Sequence, residues 1–187
     1  MKYLAFIAIA PLFIGACTSP APSLQQYLLR TDTPAQYSVQ NQTEVIGIGA
    51  VLVASYIDDL GLVLETSNGE VRTARDHQWA EPLRESVRTF LAREISAGAH
   101  QIIRSQRSGE TDWQRRIDIR IDELHGTATG DARLVAYWTV FDMAERTVLA
   151  ENGFVHTEAL SDDGYEALAR AHKKLLSRLA LAITKSL

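Results

Sequence analysis

Between residues 116 and 124 the chain alternates, with Ile117, Ile119 and Ile121 separated by Asp118, Arg120 and Asp122. Successive side chains of a strand point to opposite faces, so this run fits a strand that is buried on one face and wet on the other. Such a strand belongs to a sheet covered on one side only, and something must cover it. Two segments have the pattern to do so. Leu83, Val87, Phe90, Leu91 and Ile95 recur at three- and four-residue spacing, with Pro82 suited to a first helical turn and Gly98 to a helix stop. Leu168, Leu175, Leu176, Leu179, Ala182 and Ile183 line a second helix, which the order Asp163-Gly164-Tyr165-Glu166 opens as a capping box. The expected fold is α+β: a two-layer sandwich with a mainly antiparallel sheet and both helices on the same face.

The remaining strands are read from shorter signals. Tyr27, Leu28 and Leu29 form a short first strand. Residues 45–53, mostly β-branched or small, form a buried one continued by Ser55, Tyr56 and Ile57. Leu62-Val63-Leu64 and Val71-Arg72-Thr73 flank Ser67-Asn68-Gly69, a hairpin signal because Asn and Gly both accept positive φ. Ile102-Ile103, residues 134–141 and residues 148–155 supply the rest, with a polar loop over 106–111. With 46% hydrophobic residues the chain can bury a sizeable core, and residues 27–187 read as one domain.

Ahead of that domain, Lys2 precedes an uncharged apolar run over residues 3–14 that Pro11 interrupts. This is the pattern of a secretory signal peptide, and it is too short for the roughly twenty apolar residues a membrane span needs. The run ends Ile14-Gly15-Ala16-Cys17, and Cys17 is the single cysteine. That tetrapeptide resembles the bacterial lipobox. The resemblance implies that Ile14, Gly15 and Ala16 are read by the lipoprotein signal peptidase, that residues 1–16 are removed, and that Cys17 carries a covalent diacylglycerol and an N-acyl group. Residues 17–26 then form the acylated cysteine and a flexible tether, with two prolines among small polar residues. Thr18 stands where an Asp would favour inner-membrane retention by the enterobacterial rule, so the expected location is the outer membrane, facing the periplasm.

The charge balance, 19 Lys plus Arg against 23 Asp plus Glu for a net of -4, argues against nucleic acid as a partner. A single cysteine excludes an intrachain disulfide and a multi-thiolate metal site. His77, His100, His125, His156 and His172 stand in no ligand spacing, so no metal or dissociable cofactor is expected. Gly47 and Gly49 lack the third glycine of a dinucleotide fingerprint, since Leu52 holds that position, and instead suit close backbone approach within a sheet. Asp58-Asp59 and Asp162-Asp163 read as loop or capping residues, and Asn41-Gln42-Thr43 as a chance sequon. No nucleophile elbow occurs, so the chain is not expected to be an enzyme. At the start of the first helix Trp79 reads as packing back on the helix as a hydrophobic staple, with Glu81 favouring the positive helix end. The alternative is a partner-binding corner of Trp79, Glu81 and Pro82, with Trp113 as the more exposed partner-binding candidate, while Trp138 reads as core.

Three stretches carry a family resemblance: Gly47-Ile48-Gly49 leading through Val53 to Tyr56-Ile57-Asp58, then His77-Gln78-Trp79-Ala80-Glu81-Pro82-Leu83, then the Ile117 to Asp122 strand. Together they resemble the PqiC-like ABC-type transport auxiliary lipoproteins. After Tyr56-Ile57-Asp58 the family usually continues R-P-Q-I-V, whereas Asp59-Leu60-Gly61-Leu62-Val63 follow here, with the charge reversed. The resemblance implies a non-enzymatic accessory of an envelope phospholipid-transport system, docking a periplasmic MCE-domain protein at the outer membrane. A homo-oligomer is compatible with it. Two other readings remain open: an assembly lipoprotein that partners a β-barrel protein, and a periplasmic hydrolase.

Overall fold

A computed structural model describes residues 23–31, 44–67, 69–105 and 112–187. The signal peptide, Cys17, most of the tether, the sequon, Asn68 and the 106–111 loop lie outside the described residues. In chain order the elements are β1 (Gln25–Tyr27), β2 (Ile46–Val53), β3 (Gly61–Glu65), β4 (Val71–Trp79), α1 (Leu83–Ala99), β5 (Ile103–Ser105), β6 (Arg115–Gly126), β7 (Asp131–Asp142), β8 (Thr147–Ala159) and α2 (Tyr165–Thr184). Eight strands make one sheet and the two helices pack on it, giving the α+β fold expected from the strand alternation and the two helical periods.

The alternating strand β6 organises this sheet. One edge pairs antiparallel with β7 from Arg115↔Asp142 to Gly126↔Ala132. The other edge is divided: its first half pairs parallel with β2, and Gly126 at its end pairs parallel with Leu64 of β3. β5 continues the sheet beyond β2, while β4 and then β1 continue it beyond β3. The sheet is therefore mixed. Its longest ladders, β6 with β7 and β7 with β8, are antiparallel, and the shorter parallel pairings are made possible by the α1 crossover and by the length of β6.

The core lies between the sheet and the helices. Ile117, Ile119 and Ile121 are at most 2% exposed, which is the inward half of the alternation. Leu83, Val87, Phe90, Leu91 and Ile95 of α1 and Leu168, Leu175, Leu176, Leu179 and Ile183 of α2 meet them there. Ser96 ties the end of α1 to β5: its hydroxyl donates to the Ala92 carbonyl and accepts from the Ile103 amide at 2.9 Å.

Several boundaries differ from the sequence reading, each for a local reason. Gln25 and Gln26, assigned to the tether, already pair with His77 and Gln78, so β1 begins two residues early. Residues 55–57 turn away from β2 because Ile57 and Asp58 both donate to the Ala54 carbonyl. Gly98 does not stop α1; an added Cβ there would lie 3.1 Å from Thr184 Oγ1, so it serves the close crossing of α2. The stop falls at His100, left-handed with φ of 53°. Pro82 is the N-cap of α1, not a residue of its first turn. At α2 the capping box does not form: Gly164 occupies the N-cap with φ of 102° and no side chain caps the helix, while Glu166 turns outward to Arg170.

Candidate functional site

The tryptophans singled out by sequence are both inside the protein. Trp79 ends β4 at 3% exposure; its amide donates to the Leu60 carbonyl at 2.6 Å, and its ring lies 6.0 Å from that of His172 on α2. Trp113, expected to be the more exposed, is 7% exposed. Its indole covers the backbone of Gly47, where an added Cβ would sit 2.3 Å from the ring. The glycine makes the slot that the tryptophan fills, so Gly47 has the close-approach role expected of it and Trp113 is a packing residue. Neither ring can therefore present an interface anchor to a partner. Glu81 and Pro82 do remain exposed at the corner, Glu81 accepting from the Ser86 hydroxyl at 3.3 Å. The reversed-charge turn is used internally: Asp58 forms an ion pair with Arg84 of α1, and Asp59 accepts from the Leu60 amide. Trp138 is buried as expected, at 5% exposure.

Three concave surfaces were not singled out in the sequence. The first lies on the open face of the sheet, where Arg116 and Arg120 project from β6. Each guanidinium stacks 4.7 Å from an aromatic centroid on β7, Phe141 and Tyr137 respectively. Each also pairs along its own strand, Arg116 with Asp118 and Arg120 with Asp122, both at 3.0 Å. Leu52 is 55% exposed beside this ladder, and Gly153 leaves room beneath Tyr137, forming a shallow depression of about 460 Å³. Such a face suits a protein surface: it offers flat apolar area with paired charges to fix register.

The second is a polar bowl of about 630 Å³ at the far end of β6, lined by Tyr56, Glu65, Glu123, His125 and Arg133 among others. Arg133 pairs with Glu123, and the Tyr56 hydroxyl donates to the Asp122 carbonyl at 3.3 Å. Burial first, then the carboxylates of Glu123, Glu65 and Asp122, push the Tyr56 phenol up to about 12, so it stays protonated at neutral pH and serves as a donor. Among the described residues no group of His, Cys, Asp and Glu could hold a metal ion. The third is a groove between α2 and β8.

Behind the bowl, His172 is 1% exposed, and neither ring nitrogen has a partner in hydrogen-bond geometry among the described residues. Burial is the main cause that lowers its pKa to about 3; the nearby His125 backbone opposes the shift and the His125 ring adds to it. The unfolded chain would protonate this ring near its ordinary value of 6.5, whereas the folded chain holds it neutral. The unfolded state therefore binds more protons below pH 6.5, and folding stability is lost as the pH falls from 6.5 toward 3, at up to about 1.4 kcal/mol per unit. Urea midpoints should show the domain losing roughly 2 kcal/mol between pH 7 and pH 5, and His172→Leu should lose about that much less. Equal pH dependence in both proteins would mean the ring is not held neutral by folding.

The chain matches the family described as the ABC-type transport auxiliary lipoprotein component over residues 27–184. It is 22% identical over 183 residues to the intermembrane transport lipoprotein PqiC of Escherichia coli K12, covering 97% of this chain and 95% of that protein. The PqiC of Shigella flexneri matches to the same extent. Among solved structures, an uncharacterized protein superimposes with a TM-score of 0.73 at 18% identity, over 87% of this chain and 97% of its own. A Xanthomonas campestris protein superimposes with a TM-score of 0.65 at 16% identity, over 85% and 92%. At these identities the structures establish a shared fold. Among the described residues no helix is long and apolar enough to cross a membrane. The family match runs from the last residue of β1 through the rest of the sheet and both helices to the end of α2, and on that ground the chain belongs to the ABC-type transport auxiliary lipoproteins.

Proposed function

We propose that the chain is a non-enzymatic docking subunit of an intermembrane phospholipid-transport system, held at the outer membrane by acyl groups on Cys17 and receiving a periplasmic MCE-domain protein there. The family match over 27–184 carries this reading, and the lipobox Ile14-Gly15-Ala16-Cys17 upstream agrees with it. The relative's own description as an intermembrane transport lipoprotein supports the transport assignment. Physically, the domain offers broad, shallow surfaces of mixed character, which suit association more than the enclosed apolar pocket expected for a small substrate.

Co-purification in mild detergent tests the proposal: the full chain with Cys17 intact should retain an MCE-domain protein encoded beside it. Recovery of a β-barrel protein with no MCE-domain partner would instead support the assembly-lipoprotein reading.

A further inference from the structure

β8 is hydrogen-bonded to β7 and ends the sheet on that side. α2 lies over β6, β7 and β8, yet it covers β8 incompletely. Phe154 is buried on the inner face, whereas Asn152 and His156, which flank it on that face, are exposed. Between them and the helix runs an open groove of about 490 Å³, floored by Trp138 and Phe154 and walled by Arg178, Leu181 and Lys185. Leu181 is 57% exposed there, a large apolar side chain that nothing in the fold uses.

The wall is also electrically distinct. Residues 165–187 carry Arg170, Lys173, Lys174, Arg178 and Lys185 against one acid, Glu166, a formal charge of +4 in a chain of net -4. Arg170, Lys174 and Arg178 follow one another at four-residue spacing and form a ridge beside β8. At one end of this ridge the countercharges are in place: Glu166 and Asp162 on Arg170, and Glu158 on Lys174 at 3.2 Å and on Arg178 at 2.6 Å. At the open end Lys185 is exposed and has no ion pair among the described residues. A helix laid beside α2 at the usual spacing of about 8–10 Å would sit over the uncovered part of β8. It would bury Leu181 and the rim of Phe154, and on the groove's lining Lys185 and Arg178, which shares the single carboxylate of Glu158 with Lys174, select acidic flanks.

We infer that the α2–β8 groove is the docking site for an acidic amphipathic helix of a protein partner; this rests on the docking-subunit reading and gives it a surface. Two exposed positions test it without threatening the fold, Leu181→Asp and Lys185→Glu, each checked by circular dichroism. The probe is a synthetic twenty-residue helical peptide with leucines at i, i+3, i+4 and i+7 and glutamates on both flanks. Its counterpart has lysine for every glutamate. The acidic peptide should bind the full chain, weaken with added salt, and lose at least tenfold in affinity with either variant, while the lysine peptide should not bind. In the co-purification experiment the same variants should release the MCE-domain protein. Equal binding of both peptides, or unchanged binding by the variants, overturns the inference. So does retention of the MCE-domain partner by both variants, an outcome that leaves the docking-subunit reading standing. Self-association in sedimentation that Leu181→Asp abolishes, or binding to anionic phosphatidylglycerol vesicles in place of the acidic peptide, would assign the groove to another occupant and also overturns it. Acidic-peptide binding with no MCE-domain partner recovered from any preparation supports the groove and counts against the partner named above.

Discussion

Trp79→Ala is expected to destabilise the domain by about 3–5 kcal/mol, the range for truncating a buried large aromatic. Three elements meet at this ring. Tyr27 of β1 is its parallel register partner, the β3 side accepts its amide through Leu60, and His172 of α2 lies 6.0 Å from it across the core. Removing the indole leaves a cavity between the sheet and α2 that the β4 backbone, fixed on both edges, cannot collapse to fill. Since domains of this size are stable by only about 5–15 kcal/mol, a loss of that order should move the urea midpoint substantially. An interface role would look different: a variant with unchanged midpoint that no longer retains its partner would place the ring's contribution outside the fold.

Cys17→Ala is expected to abolish acylation and, because the lipoprotein signal peptidase cuts at the acylated cysteine, the removal of residues 1–16. Behind a leader that is cut by an ordinary signal peptidase instead, the variant should move completely from the membrane fraction to the soluble one. Each buried methylene of an acyl chain contributes about 0.8 kcal/mol, so two or three chains hold a domain firmly while none leaves it no anchor. The charge balance offers no substitute, because a chain of net -4 is not drawn to an anionic lipid surface. Fractionation of wild type and variant reads this directly, and the mass of the N-terminal peptide identifies the acyl groups. Membrane retention of the unacylated variant after its leader has been removed would show that another part of the chain binds the bilayer.

Where the sequence was legible, the physical signal was periodic and local. The isoleucines of β6 alternate because one side of the strand is dry, and the leucines of the helices recur because one stripe is. The lipobox is a contiguous motif and is read without any fold. Its consequences for Cys17 rest on the chemistry of that motif, since the residue lies outside those described. The two helix ends were harder to place. Gly98 and the Asp163 to Glu166 order have the right residue types, but a contact with Thr184 and a glycine conformation at Gly164 decide what they do.

The docking candidates show the same division more sharply. An aromatic beside a polar loop reads as exposed, and nothing in the residues around Trp113 says that Gly47, far away in sequence, leaves a slot for it. The cations of α2 stand at legible helical spacing, yet a charged helix face is usually a solvated one. Only the position of β8 beside it turns that face into the wall of a groove.

The residue pattern alone therefore determined the fold class and the family membership that its motifs announce, and it carries the lipobox resemblance, because each depends on neighbours along the chain. Tertiary structure decided which side chains are available to a partner. Exposure is set by what packs from distant elements: β2 buries Trp113, α2 approaches Trp79, and the sheet outruns its helical cover to leave the inner face of β8 open.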